Sequence, residues 1–267
     1  MAKRGGKARI GVLGAGGRMG QGIIARVLET KEAVLAGAAE KPGHPAMGRS
    51  IAPSLVICAN TLALAHSADV LVDFTTPDAL EENLTAACDA ACAIVIGTTG
   101  LAPKHHRLID EAAKTTAVLQ TANTSLGVTM LAALVKAAAS RLGEDWDIEI
   151  AEMHHRHKVD APSGTALMLG EAAAAGRGVK LSNAAVNARA GADAARKVGE
   201  IGFAALRGGS VAGDHMVILA ADGERIELGH RAESREIFVR GAVRAALWLA
   251  GKPAGRYTMN EVLGLDA

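Results

Sequence analysis

The sequence predicts an α/β protein in two parts: a doubly wound parallel sheet first, then an α+β domain with an open mixed sheet. Three observations carry this. Short apolar runs alternate with helix-spaced segments over residues 1–125, the first run stops at a glycine-rich turn, and beyond Ser125 the strand candidates alternate polar and apolar. At about 150 residues per domain, 267 residues correspond to about 1.8 domains. A chain of that length buries a core without staples.

Ile10, Val12 and Leu13 form the first run, which stops at Gly14. Apolar residues then fall at Met19, Ile23, Ile24, Val27 and Leu28, a helical spacing. Val34–Ala39 reads as a second buried strand. The alternation continues with strands at Val70–Phe74, Ala93–Ile96 and Ala117–Gln120 and helices at Pro77–Ala91 and Pro103–Thr115. Strands that are apolar on both faces and separated by helices imply a parallel sheet. After Ser125 a helix (Met130, Leu131, Leu134, Val135, Ala138) leads to Asp147–Ile150, which alternates as a one-sided strand does. Met216–Ala220 and Arg225–Leu228 flank Asp222-Gly223, a two-residue hairpin signal. Such a sheet has one face open, to be covered by its own helices or by another subunit. Ala172–Ala175 and Asn183–Lys197 lack large apolar groups and read as mobile loop. The final helix, Ile237–Ala250, is expected to return to the first domain. The predicted domains are 1–125, with 236–267 packed back onto it, and 126–235.

Composition excludes several function classes. Lys and Arg number 29 against 28 Asp and Glu, a net charge of +1, which argues against a partner held by phosphate neutralisation. Three Phe, two Trp and one Tyr leave little to stack on bases, so no nucleic acid partner is expected. Cys58, Cys88 and Cys92 have no paired-motif spacing, which suits a reducing cytoplasm, and Cys88 and Cys92 read as small core residues on one helix. Lys3, Arg4, Lys7 and Arg9 precede only a strand-length apolar run, so no signal peptide is read, and no stretch of about 18 uncharged apolar residues predicts a membrane span.

The first strand delivers Gly14-Ala15-Gly16-Gly17-Arg18-Met19-Gly20, one residue longer than the usual dinucleotide fingerprint. With 31 glycines in 267 residues, three fixed glycines recur by chance about 0.4 times, so position decides. A strand precedes the turn, an amphipathic helix follows, and Glu40 ends the second strand twenty residues beyond Gly20, the Rossmann-like arrangement. Gly14 permits the tight turn, Gly16 lets backbone approach a pyrophosphate, and the helix start offers N–H groups to the anion. Glu40 is placed to accept from ribose hydroxyls, whereas Lys41 suits a 2′-phosphate, so both NADH and NADPH are candidates. Asp73-Phe74-Thr75-Thr76-Pro77 and Gly97-Thr98-Thr99-Gly100 follow further strands, where open α/β sheets bind ligands; alone, each is an ordinary capping turn.

The densest chemistry lies at Glu152–Thr165, where His154, His155 and His157 crowd beside Arg156 and Lys158 at a strand end. A zinc site is disfavoured, because no Cys lies near, HExxH spacing is absent, and the two cations repel a dication. A solvated basic loop is the bland alternative. The stronger reading is an anion-binding acid/base site. Ser163 serves as N-cap of an apolar helix, and Gly164 and Thr165 then present backbone N–H groups to a carboxylate. His155 and Lys158 add charge-assisted bonds, and an imidazole delivers a proton near neutral pH.

Four segments in this order, Gly-Ala-Gly-Gly-Arg-Met-Gly at 14–20, Asp-Phe-Thr-x-Pro at 73–77, Gly-Thr-Thr-Gly at 97–100 and Glu-x-His-His-Arg-His-Lys-x-Asp-Ala-Pro-Ser-Gly-Thr-Ala at 152–166, resemble the 4-hydroxy-tetrahydrodipicolinate (dihydrodipicolinate) reductases of the diaminopimelate route to lysine. The likeness extends to Ile201-Gly202-Phe203, to Val211-Ala212-Gly213-Asp214-His215 and to residues 241–249.

The resemblance implies reduction of the cyclic dicarboxylate 4-hydroxy-tetrahydrodipicolinate with NADH or NADPH, giving tetrahydrodipicolinate and water. It implies that Gly14, Ala15, Gly16, Gly17, Arg18 and Met19 cradle the pyrophosphate and that Glu40 and Lys41 read the adenosine end. Gly97, Thr98 and Thr99 approach the nicotinamide half, and Thr121, Ala122, Asn123 and Thr124 form a further contact loop. Some members carry an aromatic where this chain has Thr124. By the same resemblance His154 is the proton donor and acceptor, Lys158 is a proton donor, and His155, Gly164 and Thr165 bind substrate. No metal is implied, and the assembly is a homotetramer built through the second domain's sheet. Another reductase of small oxo or imino acids and a non-catalytic nicotinamide sensor are the competing functions; intact His154, His155 and Lys158 argue against the sensor.

Overall fold

The computed structural model describes residues 6–192 and 194–265, so Lys3, Arg4 and position 193 of the expected loop lie outside the described residues. In chain order the elements begin with β1 (Ala8–Leu13), α1 (Arg18–Glu29), β2 (Ala33–Ala39), β3 (Ser50–Ala52), β4 (Leu55–Cys58), α2 (Thr61–Ser67) and β5 (Val70–Asp73). A 3₁₀ turn (Pro77–Ala79), α3 (Leu80–Asp89), β6 (Ala93–Ile96), α4 (Pro103–Ala112) and β7 (Ala117–Gln120) follow. Then come α5 (Leu126–Ala139), β8 (Asp147–His154), α6 (Gly164–Gly176), α7 (Leu181–Ala184), β9 (Ala185–Val186), β10 (Ile201–Arg207), β11 (Asp214–Ala221) and β12 (Glu224–Arg231). The chain closes with α8 (Glu236–Leu249), β13 (Gly255–Tyr257) and α9 (Met259–Leu263). It divides into two compact units, one made of the segments up to Ser125 and from Glu236 onward, the other of Leu126–Arg235.

The first unit is an eight-stranded sheet in the order β13-β7-β6-β5-β1-β2-β4-β3, parallel except for β3. Every residue of β5 and β6 is buried, because helices cover both faces. Leu64 of α2, Leu80 and Leu84 of α3 and Ile109 of α4 fill one face against Leu71, Ile94 and Ile96. On the other, α8 packs on α1 and on β5, β6 and β7. Strand order reverses between β1 and β5, and a doubly wound sheet opens its crevice at that switch point.

Gly241 is where α8 comes closest. A Cβ there would stand 1.7 Å from the carbonyl oxygen of Thr124, and the Thr124 hydroxyl donates to the Phe238 carbonyl at 2.7 Å. Gly241→Ala must push the helix off the loop. We expect a loss of about 2 kcal/mol in urea unfolding; unchanged stability would show that the approach is not that close.

The second unit is a mixed sheet in the order β12-β11-β8-β10-β9, with β8 antiparallel to β11 and parallel to β10. Alternation along β8 sends Ile148 and Ile150 into a core with Leu131, Val135, Leu169, Phe203, Val217 and Leu219. The opposite face carries Ala151, Met153, Met216 and Leu206, the last 56% exposed.

Three expectations are corrected. Ala172–Ala175 are not a loop: they belong to α6, where Ala173 and Ala174 are fully buried. Small side chains signal close packing here; a Cβ on Gly176 would stand 2.6 Å from the Lys136 carbonyl oxygen of α5. Within Asn183–Lys197, Asn183 and Ala184 end α7, and Ala185–Val186 pairs with β10. Cys88 and Cys92 do not share a helix, because α3 ends at Asp89 and Cys92 is buried just before β6.

Candidate active site

In the first unit the predicted nucleotide residues all follow the carboxyl ends of neighbouring strands: 14–19 after β1, 40–41 after β2, 97–99 after β6 and 121–124 after β7. Gly14 has φ +78, and its N–H and that of Ala15 donate to the Ala39 carbonyl at 3.0 and 3.1 Å. A Cβ on Gly14 would meet the Phe74 carbonyl oxygen at 2.6 Å, and one on Gly16 would strike the His44 ring at 2.2 Å. Position 14 admits only glycine, whereas a side chain at 16 would have to displace the His44 ring. α1 starts without a side-chain cap and with no acid in its first turn, so its leading N–H groups suit an anion. Arg18 is exposed, and Met19 half-buried.

Glu40 does more than the sequence suggested. Its carboxylate accepts the Gly16 N–H at 2.8 Å and the Lys41 N–H at 3.0 Å, bracing the glycine turn; Lys41 itself is exposed. Asp73, fully buried at the end of β5, accepts from Thr75 (N–H and hydroxyl), Asn83 and Thr98. Burial raises its pKa, and those four bonds work against the shift. The Thr98 hydroxyl is thus spent on Asp73, leaving Thr99 exposed. The Phe74 ring lies over Gly97, where a Cβ would overlap it at 2.3 Å. Thr121 bonds Asn123, Ala122 is exposed, and Thr124 is 1% exposed with its side chain committed to α8.

In the second unit β8 carries His154 to its end and a loop leads directly to α6, gathering His154, His155, Lys158, Gly164 and Thr165 on one continuous segment. Ser163 caps α6, its hydroxyl accepting the Ala166 N–H at 3.2 Å. Gly164 is exposed, with open space where a Cβ would stand. Lys158 Nζ reaches both oxygens of Asp160 at 2.8 Å and holds that carboxyl below its usual range. Desolvation, then Arg235, His157, His154 and Lys158, lower the His155 pKa.

Three participants receive no role from the sequence, although Glu152 opens the predicted cluster and His215 lies in a family-like segment. Glu152 accepts from His154 Nδ1 at 2.5 Å and from both Nη atoms of Arg207 at 2.9 Å. Burial alone would raise the Glu152 pKa; Arg207 and His154 hold it below the ordinary value. His215, within the Val211–His215 segment, lies 3.1 Å through Nε2 from the Ser163 hydroxyl and packs edge-on to His154 at 5.1 Å. Strand register brings Arg207 of β10 and His215 of β11 beside Glu152 and His154 of β8.

Family models for dihydrodipicolinate reductase match twice, the amino-terminal model over residues 8–124 and the carboxyl-terminal one over 127–263. The chain belongs to the dihydrodipicolinate reductase family. It is 55% identical over 257 residues to the 4-hydroxy-tetrahydrodipicolinate reductase of Zymomonas mobilis subsp. mobilis, covering 96% of this chain and 97% of that one. It is 49% identical over 264 residues to the enzyme of the same name from Rhodopseudomonas palustris, covering 96% and 97%. Among solved structures, dipicolinate-bound dihydrodipicolinate reductase from Paenisporosarcina sp. TG-14 shares the fold at TM-score 0.76 and 21% identity, covering 96% of this chain and 98% of that chain. A probable dehydrogenase from Thermotoga maritima shares it at TM-score 0.62 and 12% identity, covering 95% of this chain and 92% of that chain. The chain is therefore an oxidoreductase of diaminopimelate and lysine biosynthesis that uses a nicotinamide nucleotide. Among the described residues no helix is long and apolar enough to cross a membrane.

Proposed function

We propose that the chain reduces 4-hydroxy-tetrahydrodipicolinate to tetrahydrodipicolinate, using NADH or NADPH. The observation that carries this is the Glu152 carboxylate, which bonds both His154 and the Ser163 N–H at 3.2 Å and so ties an acid/base imidazole to the start of α6. The Gly164 and Thr165 end of α6 takes a substrate carboxylate, since N–H groups and the helix dipole favour negative charge there. His155 and Lys158 add charge-assisted bonds to the diacid. His154 gives and takes the proton, and Lys158 is a second donor. When bound, the reduced nicotinamide supplies a hydride. Residues 14–19 hold its pyrophosphate, Glu40 and Lys41 its adenosine end, and 97–99 with 121–124 the nicotinamide half.

Absorbance of NADPH, followed with substrate freshly made from pyruvate and aspartate semialdehyde, is the test. Substrate-dependent oxidation is expected; tight NADPH binding without turnover would instead make the chain a sensor. Lys158→Ala should lower turnover at least tenfold, about 1.4 kcal/mol, with NADPH binding nearly unchanged. Wild-type turnover would remove Lys158 from the chemistry.

Cofactor choice turns on Glu40. Its brace on Gly16 serves both nucleotides, whereas the adenosine ribose carries a free 2′-hydroxyl only in NADH. Glu40→Ala should therefore weaken NADH by about tenfold and NADPH by less. Fluorescence titrations giving an unchanged ratio of the two dissociation constants would place the adenosine elsewhere.

The uncovered face of the second sheet, with Met153, Met216 and Leu206, supports assembly of a homotetramer through it. Leu206→Glu should reduce the mass measured by light scattering; an unchanged mass would exclude that face. Free Cys58, Cys88 and Cys92 support a cytoplasmic location.

A further inference from the structure

Glu152 is a buried carboxylate whose acceptor positions are all taken. Oε1 accepts from Arg207 Nη2 at 2.9 Å and from the Ser163 N–H at 3.2 Å. Oε2 accepts from Arg207 Nη1 at 2.9 Å and from His154 Nδ1 at 2.5 Å. Its side chain is 1% exposed. An ionised carboxylate can only accept, so Nδ1 must carry a proton in this pairing. Any proton His154 exchanges is therefore handled at Nε2. Gly213 faces that atom, and a Cβ at 213 would come within 2.9 Å of it. Arg207 also donates to the Asp160 carbonyl at 2.6 Å, fastening the loop that carries Lys158.

We propose that Arg207 and Glu152 form a positioning pair that fixes His154 in the Nδ1–H tautomer and aims Nε2 as the working atom. The proposal rests on the acid/base role given to His154 above. In the proton-transfer step the pair acts through His154; its other bonds, to the Asp160 carbonyl and from the Ser163 N–H, hold the loop and the start of α6 in place. Arg207 pins Glu152 in rotation with two parallel bonds, and Glu152 in turn pins the ring. A plain salt bridge anchoring β8 to β10 is the competing explanation, and it predicts losses independent of His154.

Three variants separate the two explanations: Glu152→Gln, His154→Gln and the double variant, each assayed for kcat and KM by NADPH oxidation. Glu152→Gln should lower kcat at least tenfold, with KM changed by less than about threefold. In the His154→Gln background the same change should cost less than about twofold. Equal losses in both backgrounds would overturn the proposal, as would undiminished kcat in Glu152→Gln. Undiminished turnover in His154→Gln would instead overturn the acid/base role itself. If Glu152→Gln does not fold, imidazole ¹⁵N shifts of the wild-type enzyme still decide. Neutral His154 must show a protonated Nδ1 and a bare Nε2; the reverse pattern would overturn the proposal.

Discussion

His154→Gln should lower kcat by about a hundredfold or more while the dissociation constant of the nucleotide stays within about twofold. The asymmetry follows from where the side chain sits. His154 closes β8 in the second unit, whereas every residue assigned to the nucleotide lies in the first. Glutamine occupies similar space and can still donate to Glu152, so the fold is retained. What it lacks is an imidazole nitrogen to give and regain the proton. The remaining activity reflects binding, together with Lys158. Rapid-mixing measurement of NADPH oxidation under saturating substrate separates the chemical step from release. A variant with wild-type single-turnover rate would show that the proton comes from elsewhere.

The second large effect is on stability. Burial, then the neighbouring His154, pushes the His215 imidazole down to about 4 from its ordinary 6.5, with Glu152 pulling the other way and His230 and Lys158 adding to the depression. In the unfolded chain the imidazole takes a proton as pH falls through 6.5, but in the folded protein it does so only near 4. The unfolded state thus binds more protons between those values, and folding loses stability as pH drops through that window. Above 6.5 both states are neutral and the cost vanishes. Fully developed, the effect is about 3 kcal/mol. His215→Gln carries no such titration. Its unfolding free energy relative to wild type should gain about 3 kcal/mol between pH 7 and pH 4, which denaturant unfolding at the two pH values measures. A difference independent of pH would show that His215 is not held neutral.

Local pattern made much of this molecule legible. Apolar runs such as Val70–Val72 and Ala93–Ile96 have no polar face, so only a sheet covered on both sides accommodates them. The glycines at 14, 16 and 20 and the segment from Glu152 to Thr165 announce their chemistry through residue type and order. Alanine misled, because the same small side chain serves a loop and a tightly packed helix; only the approach of α5 to Gly176 separates them. β3 and β13 are too short, at three residues each, to show a period. The roles of Arg207 and His215 were invisible for a different reason: their partners lie 55 and 52 residues away, Arg207 meeting Glu152 through strand register and His215 meeting Ser163 where α6 begins.

The nucleotide-binding unit is assembled from two separated stretches of chain, with α8 covering β5, β6 and β7 and β13 extending the sheet beside β7. During synthesis the amino-terminal segment therefore emerges with the β5, β6 and β7 part of one sheet face bare, and it keeps that apolar surface until α8 leaves the ribosome. The central segment, contiguous in sequence, has all its own strands and helices before then. Chaperone demand on the nascent polypeptide should consequently fall on its oldest part, and a stop codon just before Glu236 would cripple the region synthesised first.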